Sequence, residues 1–397
     1  MAITIENEPQ EYTPAYNQMI FVASSTNTAE DNFQYIFDIW YDGAFRSRHK
    51  IPANPDNGYG QFDARKKIES LLSWDIDGST TDFDNNTQSF KKYYVRVGEE
   101  YDVSGVRTEF PNLTDSSDIY AINAALEKLD FVDWDDDDYV LATSDDKFLT
   151  NMPDAQNIEL NQLGWLYSVN DTPANYDHLR VRTYDASGVL QSTDDISNSL
   201  TASTDNNQFI RVGVGTQNIV DALADTSYFD GIAYYTVVAQ TGANADISET
   251  RRFNIVTQRL YTTYRVHFLN VLGGFDPFNF TLVTRKTTQS KRTSFKRNPN
   301  SWNGTAYSYD KSSQSDFTKL VASNDQLLLR SDYLTDAQIT WLKEMVTSPV
   351  VLLESGTDLI PMIVETNVFE EFEKESTRLF RQDITLRYGH TNYRQRG

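Results

Sequence analysis

The chain of 397 residues contains no cysteine, which excludes thiol nucleophiles, disulfide staples and cysteine-ligated zinc or iron–sulfur centres. Histidine is nearly as scarce. His49, His178, His267 and His390 are scattered without H-x-x-x-H spacing, so no helix-borne zinc signature exists. Apolar runs are a handful of residues at most, as in Ser348–Leu353, against the ~20 needed to span a bilayer. The opening MAITIENEPQEYTPAY has no basic start and no apolar core, so neither a signal peptide nor membrane insertion is expected. Phosphate loops are missing too. Gly213-Val214-Gly215 lacks the third glycine and the lysine, and Gly273-Gly274 leads into Phe275 rather than into a helix. Carboxylates are so numerous that any catalytic pair could be drawn, which makes the pairing uninformative. The expectation is a soluble protein, not an enzyme, without cofactor or metal, that works by binding and assembly.

What is present is a sorting of charge. Residues 1–250 hold 42 acidic and 15 basic residues, a net of −27, while residues 251–397 hold 15 and 20, a net of +5. An acidic body and a mildly basic end speak about solubility and partners rather than about fold. The aromatic fraction is 13%, with 23 Tyr and 22 Phe. Such residues fit a pleated, half-buried surface, so the composition leans towards sheet. A chain of this length is expected to form about two or three domains.

Two segments of the acidic body follow one layout. Phe33–Trp40 runs into the turn Tyr41-Asp42-Gly43, and Leu179–Tyr184 runs into Asp185-Ala186-Ser187-Gly188; each reads as a strand and a hairpin turn. Downstream, Lys92–Val97 and Ala233–Val238 share Tyr-Tyr-x-Val, with Tyr93-Tyr94 and Tyr234-Tyr235 lying 141 residues apart. Between them sit two helix candidates, Asp63–Ser73 with Asp63 as N-cap and Thr216–Leu223 with Thr216 as N-cap. Ile119–Asp130 has helical spacing and is expected to link the copies, and 74–90 and 191–207 read as long polar loops. The predicted architecture is mainly β. Two tandem β-sandwich domains of the immunoglobulin or fibronectin type III kind, 1–118 and 119–257, precede a basic module, 258–397.

That module reads as α+β, one helix on an antiparallel sheet. Strands are expected at Tyr261–Leu269, Phe278–Val283, Asp325–Ser331, Val350–Glu354, Ile360–Glu365 and Arg381–Tyr388. Thr335 and Gln338 form a capping-box pair before Ile339, Leu342, Met345 and Val346, and Pro349 ends the helix. Arg285, Lys286, Lys291, Arg292, Lys296 and Arg297 read as an exposed basic loop.

Several stretches, taken in order, resemble structural proteins of tailed phages that infect Bacteroidetes. They are Asn54–Asp63, Leu269–Leu282 (LNVLGGFDPFNFTL), Leu334–Glu365 with its Trp-Leu helix, Ser-Pro and Leu-Ile-Pro strand, and the ending ITLRYGHTNYRQRG. The resemblance covers about half of the chain. It implies a virion component, made in the host cytoplasm and placed in a tail, baseplate or neck.

The candidate contact residues follow from charge. Arg285, Lys286, Lys291, Arg292, Lys296 and Arg297, with Tyr393, Arg394 and Arg396 of the tail, would meet acidic residues such as Asp133, Asp135, Asp136 and Asp137 of a neighbouring subunit. The partners are further copies of the chain and other virion proteins. Nucleic acid is the less favoured partner for the basic cluster, because the rest of the chain repels polyanions. A calcium site at Asp133–Asp138 fails the EF-hand pattern, with Asp138 where Gly is needed and Ser144 where Glu is needed. The alternative function is carbohydrate binding or adhesion, with Trp40, Trp134, Trp165 and Trp302 available to stack on sugars, although alternate aromatic positions on strands usually face a core.

Overall fold

The computed structural model describes residues 3–76, 78, 83–170, 175–200, 208–257, 260–298, 300–308, 311–312, 314–366, 369 and 381–394. The chain is mainly β, with several antiparallel sheets. Two compact units divide it: residues 1–257 with 269–276, here the body, and residues 258–268 with 277–397.

The body opens with β1 (Ile3–Asn7), β2 (Tyr12–Pro14), β3 (Ile20–Ser25), β4 (Gln34–Tyr41), β5 (Ala44–Pro52) and β6 (Gly60–Asp63). Helix α1 (Arg65–Ile68) is followed by β7 (Phe83–Asn85), β8 (Phe90–Val103), β9 (Val106–Asp115) and β10 (Ile119–Ile122). Helix α2 (Lys128–Val132) leads to β11 (Gln156–Ile158), β12 (Trp165–Val169), β13 (His178–Tyr184), β14 (Leu190–Ser197) and β15 (Phe209–Gly213). Helix α3 (Thr216–Leu223), β16 (Tyr234–Gln240) and β17 (Arg251–Ile255) complete it.

The larger sheets of the body repeat one topology. The larger sheets run β2–β10–β8–β4–β5 and β11–β17–β16–β13–β14, with β9 added on β8. In each, the first pairing is parallel and the following ones are antiparallel. The smaller sheets run β1–β3–β6 and β12–β15–β7. Phe21, Ala23 and Phe62 of the first small sheet share one core with Tyr35, Phe37, Ile39, Val95 and Val97 of the large one. The second small sheet is completed by β7, which the chain supplies from within the first copy. The copies are therefore interlocked.

The shared Tyr-Tyr motif is out of phase by one residue. Tyr93 and Tyr235 are the buried members, 1% and 0% exposed, and Tyr94 and Tyr234 face outward, stacked on Trp40 and Tyr184 respectively. A slip of one residue reverses every side chain of a strand, so the apolar alternation fixed the phase and the motif did not.

Other expectations need correction. Ile119–Ile122 is not helical but forms β10, paired between β2 and β8 and buried on both faces of the sheet, and within Ile119–Asp130 only the stretch from Lys128 belongs to a helix. Within the described residues, which leave out 77, 79–82 and 201–207, the polar stretches include strands. Phe83–Asn85 pairs with β15, and Leu190–Ser197 is an edge strand whose polar side chains point mainly to solvent. Helix α1 is one turn, continued by a 3₁₀ turn at Glu69–Leu71. Ala64 holds its N-cap position, while the Asp63 carboxylate accepts from the backbone N–H of Arg65 (3.0 Å) and Met19 (3.2 Å). Gly215 is the N-cap of α3, and Thr216 lies inside its first turn, where its hydroxyl donates to the Glu159 carbonyl at 2.7 Å.

The second unit has β18 (Tyr264–Leu269), β19 (Phe275–Phe280), β20 (Arg285–Lys296), β21 (Asp316–Arg330), α4 (Asp336–Thr347), β22 (Val351–Ser355), β23 (Asp358–Val364), β24 (Asp383–Tyr388) and β25 (Asn392–Tyr393). Its sheet runs β19–β18–β22–β23–β24–β21–β20, with β25 on β21. The capping box at Thr335 and Gln338 is present, a device that contributes about 1 kcal/mol to a helix start. Helix α4 buries Ile339, Trp341, Leu342 and Met345, and the Trp341 ring lies 5.6 Å from Phe268 and 5.9 Å from Phe278. The basic cluster is not a loop. Arg285–Lys296 is a continuous strand, favoured by three threonines and by the lack of Gly or Pro until Pro299.

Candidate assembly surface

Strand β20 pairs with β21 from Arg285↔Leu328 to Lys296↔Asp316, and all twelve of its residues are exposed. At ~3.4 Å per residue, such a strand is about 40 Å long. Among the described residues, β24 supports β21 only at Gln326–Arg330 and β25 only at Ala322–Ser323, so within them the outer half of the hairpin is a two-stranded ribbon. Beyond it, Trp302 pairs with Tyr307 around a turn containing Gly304, and Trp302 is 63% exposed. Phe295, stacked on Phe317 at 5.6 Å, and Leu320 are also exposed on this arm.

Among the described residues, no ion pair joins Arg285, Lys291, Arg292, Lys296 or Arg297 to a carboxylate. Lys286 lies 5.7 Å from the Tyr264 ring centre, and its hydrogen bond with Tyr264 holds its pKa above the ordinary lysine value. Tyr393 pairs with Ala322, itself opposite Lys291, and the Arg394 N–H donates to the Val321 carbonyl, opposite Arg292. The sheet therefore brings the basic cluster and the tail onto the two flanks of one strand. Arg396 lies outside the described residues.

The acidic candidates belong to the body. Asp136–Asp138 form a 3₁₀ turn whose N-cap is Asp135, which accepts from the Asp137 N–H. Asp136 accepts from the Tyr12 N–H at 2.9 Å; burial pushes its pKa up, and that hydrogen bond opposes the shift. Asp138 pairs with Lys147 at 2.8 Å. Asp133 and Asp137 are exposed. Half of this stretch is consumed by local structure, and no group of three or more potential metal ligands occurs among the described residues. The tryptophans divide. Trp165 is 2% exposed and core, and the Trp134 indole donates to the Tyr12 carbonyl at 3.0 Å; Trp40 is half-buried and Trp302 open.

Sequence reasoning missed a buried polar cluster in the second unit. His267 and Arg265, 0% and 5% exposed, alternate on β18 and reach Glu354 at 2.7 and 3.4 Å, and Arg265 also donates to Asn279 at 3.0 Å. The signal was two polar residues two apart in an otherwise apolar strand. Burial lowers the His267 pKa, with Arg265 adding to the effect and the Glu354 hydrogen bond opposing it. The folded ring thus binds fewer protons than the unfolded one below the unfolded value of about 6.5. The contribution of this group to stability therefore falls as pH drops through that value, by at most about 1.4 kcal/mol per pH unit. Thermal unfolding at pH 7, 6 and 5 should show this loss, and His267→Gln should flatten it. An equally steep dependence in the variant would assign the slope to other groups.

No protein-family model matches the chain, and no curated protein does. A solved structure described as "Biofilm associated protein - BSP domain" is similar over 82% of this chain and 63% of that one, at 7% identity and a TM-score of 0.17. The chain thus spans less than two thirds of that structure, and a likeness at this score carries no argument. No helix among the described residues is long and apolar enough to cross a membrane.

Proposed function

We propose that the protein is a structural subunit of a phage virion, built into a tail, baseplate or neck ring by protein–protein contacts, with the β20–β21 arm as its docking element. The body would then consist of two tandem β-sandwich domains of the immunoglobulin or fibronectin type III kind. The observation that carries the reading is the arm. An isolated two-stranded ribbon is marginal in water, and an open strand edge is normally covered. Lysines alone would be ordinary edge protection. Here they accompany exposed Phe295, Leu320 and Trp302, a mixture of aromatics and arginine typical of interfaces. A neighbour's acidic body is the complementary partner, since residues 1–250 carry −27. Unlike ends give head-to-tail contacts, and these close into rings when the rotation permits. The resemblance to phage structural proteins supports the location.

The test is assembly state. Sedimentation velocity at high protein concentration should show oligomers that dissociate as salt is raised, and Lys291→Glu/Arg292→Glu/Lys296→Glu should be monomeric with an unchanged melting temperature. Monomeric wild type, together with absence from purified particles, would sink the proposal.

A further inference from the structure

At one end of the first large sheet of the body lies a cleft of ≈550 Å³, a volume within the range of small-ligand sites. Its apolar wall is Trp40 on β4 and Tyr94 on β8, cross-strand neighbours with rings parallel within 10° and 6.0 Å apart. Phe90, four residues before Tyr94 on the same face of β8, extends that wall, while Tyr41, next to Trp40 on β4, lines the cleft from the opposite face of the sheet. Arg96, held by two hydrogen bonds to Asp115 (2.6 and 2.9 Å), lies 4.7 Å from the Trp40 ring centre and backs it without lining the cleft.

The polar rim is built from both signs. Asp42 and Gly43, with φ of 53° and 65°, make the two-residue turn between β4 and β5 that brings Asp42 to the cleft. Lys91 donates to the Thr87 carbonyl at 2.5 Å, and Lys92 pairs with Asp118 at 3.0 Å. Burial lowers the Lys91 pKa and Asp42 opposes the shift. Two ammonium groups and two carboxylates leave the site with no net charge inside an acidic body.

That balance selects the ligand class. An anion would meet Lys92 already paired with Asp118 and Lys91 bonded to a backbone carbonyl beside the opposing charge of Asp42, within a field that repels it. A purely apolar molecule would cover four charged groups without pairing them. A neutral polyol suits both halves: its C–H faces fit flat rings, and its hydroxyls both donate to carboxylates and accept from ammonium groups. We propose that this cleft binds a neutral saccharide, stacked on Trp40 and Tyr94 and hydrogen-bonded by Asp42, Lys91 and Asp118.

The full chain should be screened on an array of neutral hexose and N-acetylhexosamine oligosaccharides beside uronic- and sialic-acid-bearing ones, with hits measured by calorimetry. Neutral oligosaccharides should bind, and Tyr94→Ala should weaken them at least tenfold. Asp42→Asn, which retains a residue tolerant of positive φ, should weaken them several-fold at an unchanged melting temperature and decides the matter if Tyr94→Ala does not fold. The charge-reversed arm variant should bind as wild type does. No neutral hit, hits confined to acidic glycans, or affinity indifferent to both cleft variants would overturn the assignment.

Discussion

Phe83→Ala is expected to destabilise the body by about 3–5 kcal/mol, although Phe83 belongs to a strand of only three residues. The side chain is 2% exposed and meets Tyr176 edge-on at 5.1 Å. Its strand β7 is paired with β15 through Val212↔Phe83, Arg211↔Asp84 and Ile210↔Asn85. Asp84 lies 2.5 Å from Arg211, whose side chain is 4% exposed. A misplaced β7 would therefore also draw an anion away from a buried cation, a loss that is costly by itself. Nearby, the Asn86 N–H donates to the Phe209 carbonyl, and Phe90 stacks on Phe209 at 5.8 Å. The cavity and the loosened ion pair fall in the second copy, while the mutated residue comes from the first. Urea unfolding of the variant should show the environment of Trp165, buried in the second copy, lost at lower denaturant than in wild type. A midpoint shift equivalent to less than 1 kcal/mol would mean that β7 is an ornament on a self-sufficient sheet.

The strands that alternate were legible in the sequence because a half-buried strand writes its face into its residues. Leu179–Tyr184, buried at alternate positions, shows this; Phe33–Trp40, buried at five successive positions, was legible through its aromatic and β-branched residues, and both, with the Thr335-capped helix, appear within a few residues of their expected bounds. What stayed hidden depends on partners distant in the chain. Nothing local in Phe83-Asp84-Asn85 says that it completes a sheet more than a hundred residues away. Ile119–Ile122 looked helical because burial on both faces erases the period-two pattern. Arg285–Lys296 looked like a loop because both of its faces meet solvent, so no apolar alternation marks it. The candidate cations were legible as a cluster. Their alignment with Tyr393 and Arg394 across β21 was not, since pairing register is a tertiary property.

Gly215→Ala is expected to cost more than about 3 kcal/mol or to abolish soluble expression. Its φ of −65° is ordinary, so backbone strain is not the reason. The reason is proximity. A β-carbon there would lie 2.4 Å from the Gly164 nitrogen and 2.5 Å from the Gln162 oxygen, and both are backbone atoms that cannot swing aside. The close approach is what allows the N–H groups of Val214 and Gly215 to donate to the Gly164 carbonyl at 2.8 and 3.1 Å. It also lets the Asn218 amide oxygen accept from the Gly164 N–H at 3.0 Å. Moving the helix outward to admit a methyl group would break all three bonds and leave buried polar groups unpaired. Gly242→Ala is the control. A β-carbon at that position meets only the Asp177 side chain, at 3.5 Å, and the loss of unfolded-state freedom should leave stability unchanged or slightly raised. Melting temperatures of the two variants side by side test the argument. If Gly215→Ala melts with Gly242→Ala, the start of α3 yields more than its backbone contacts allow, and the glycine is there for another reason.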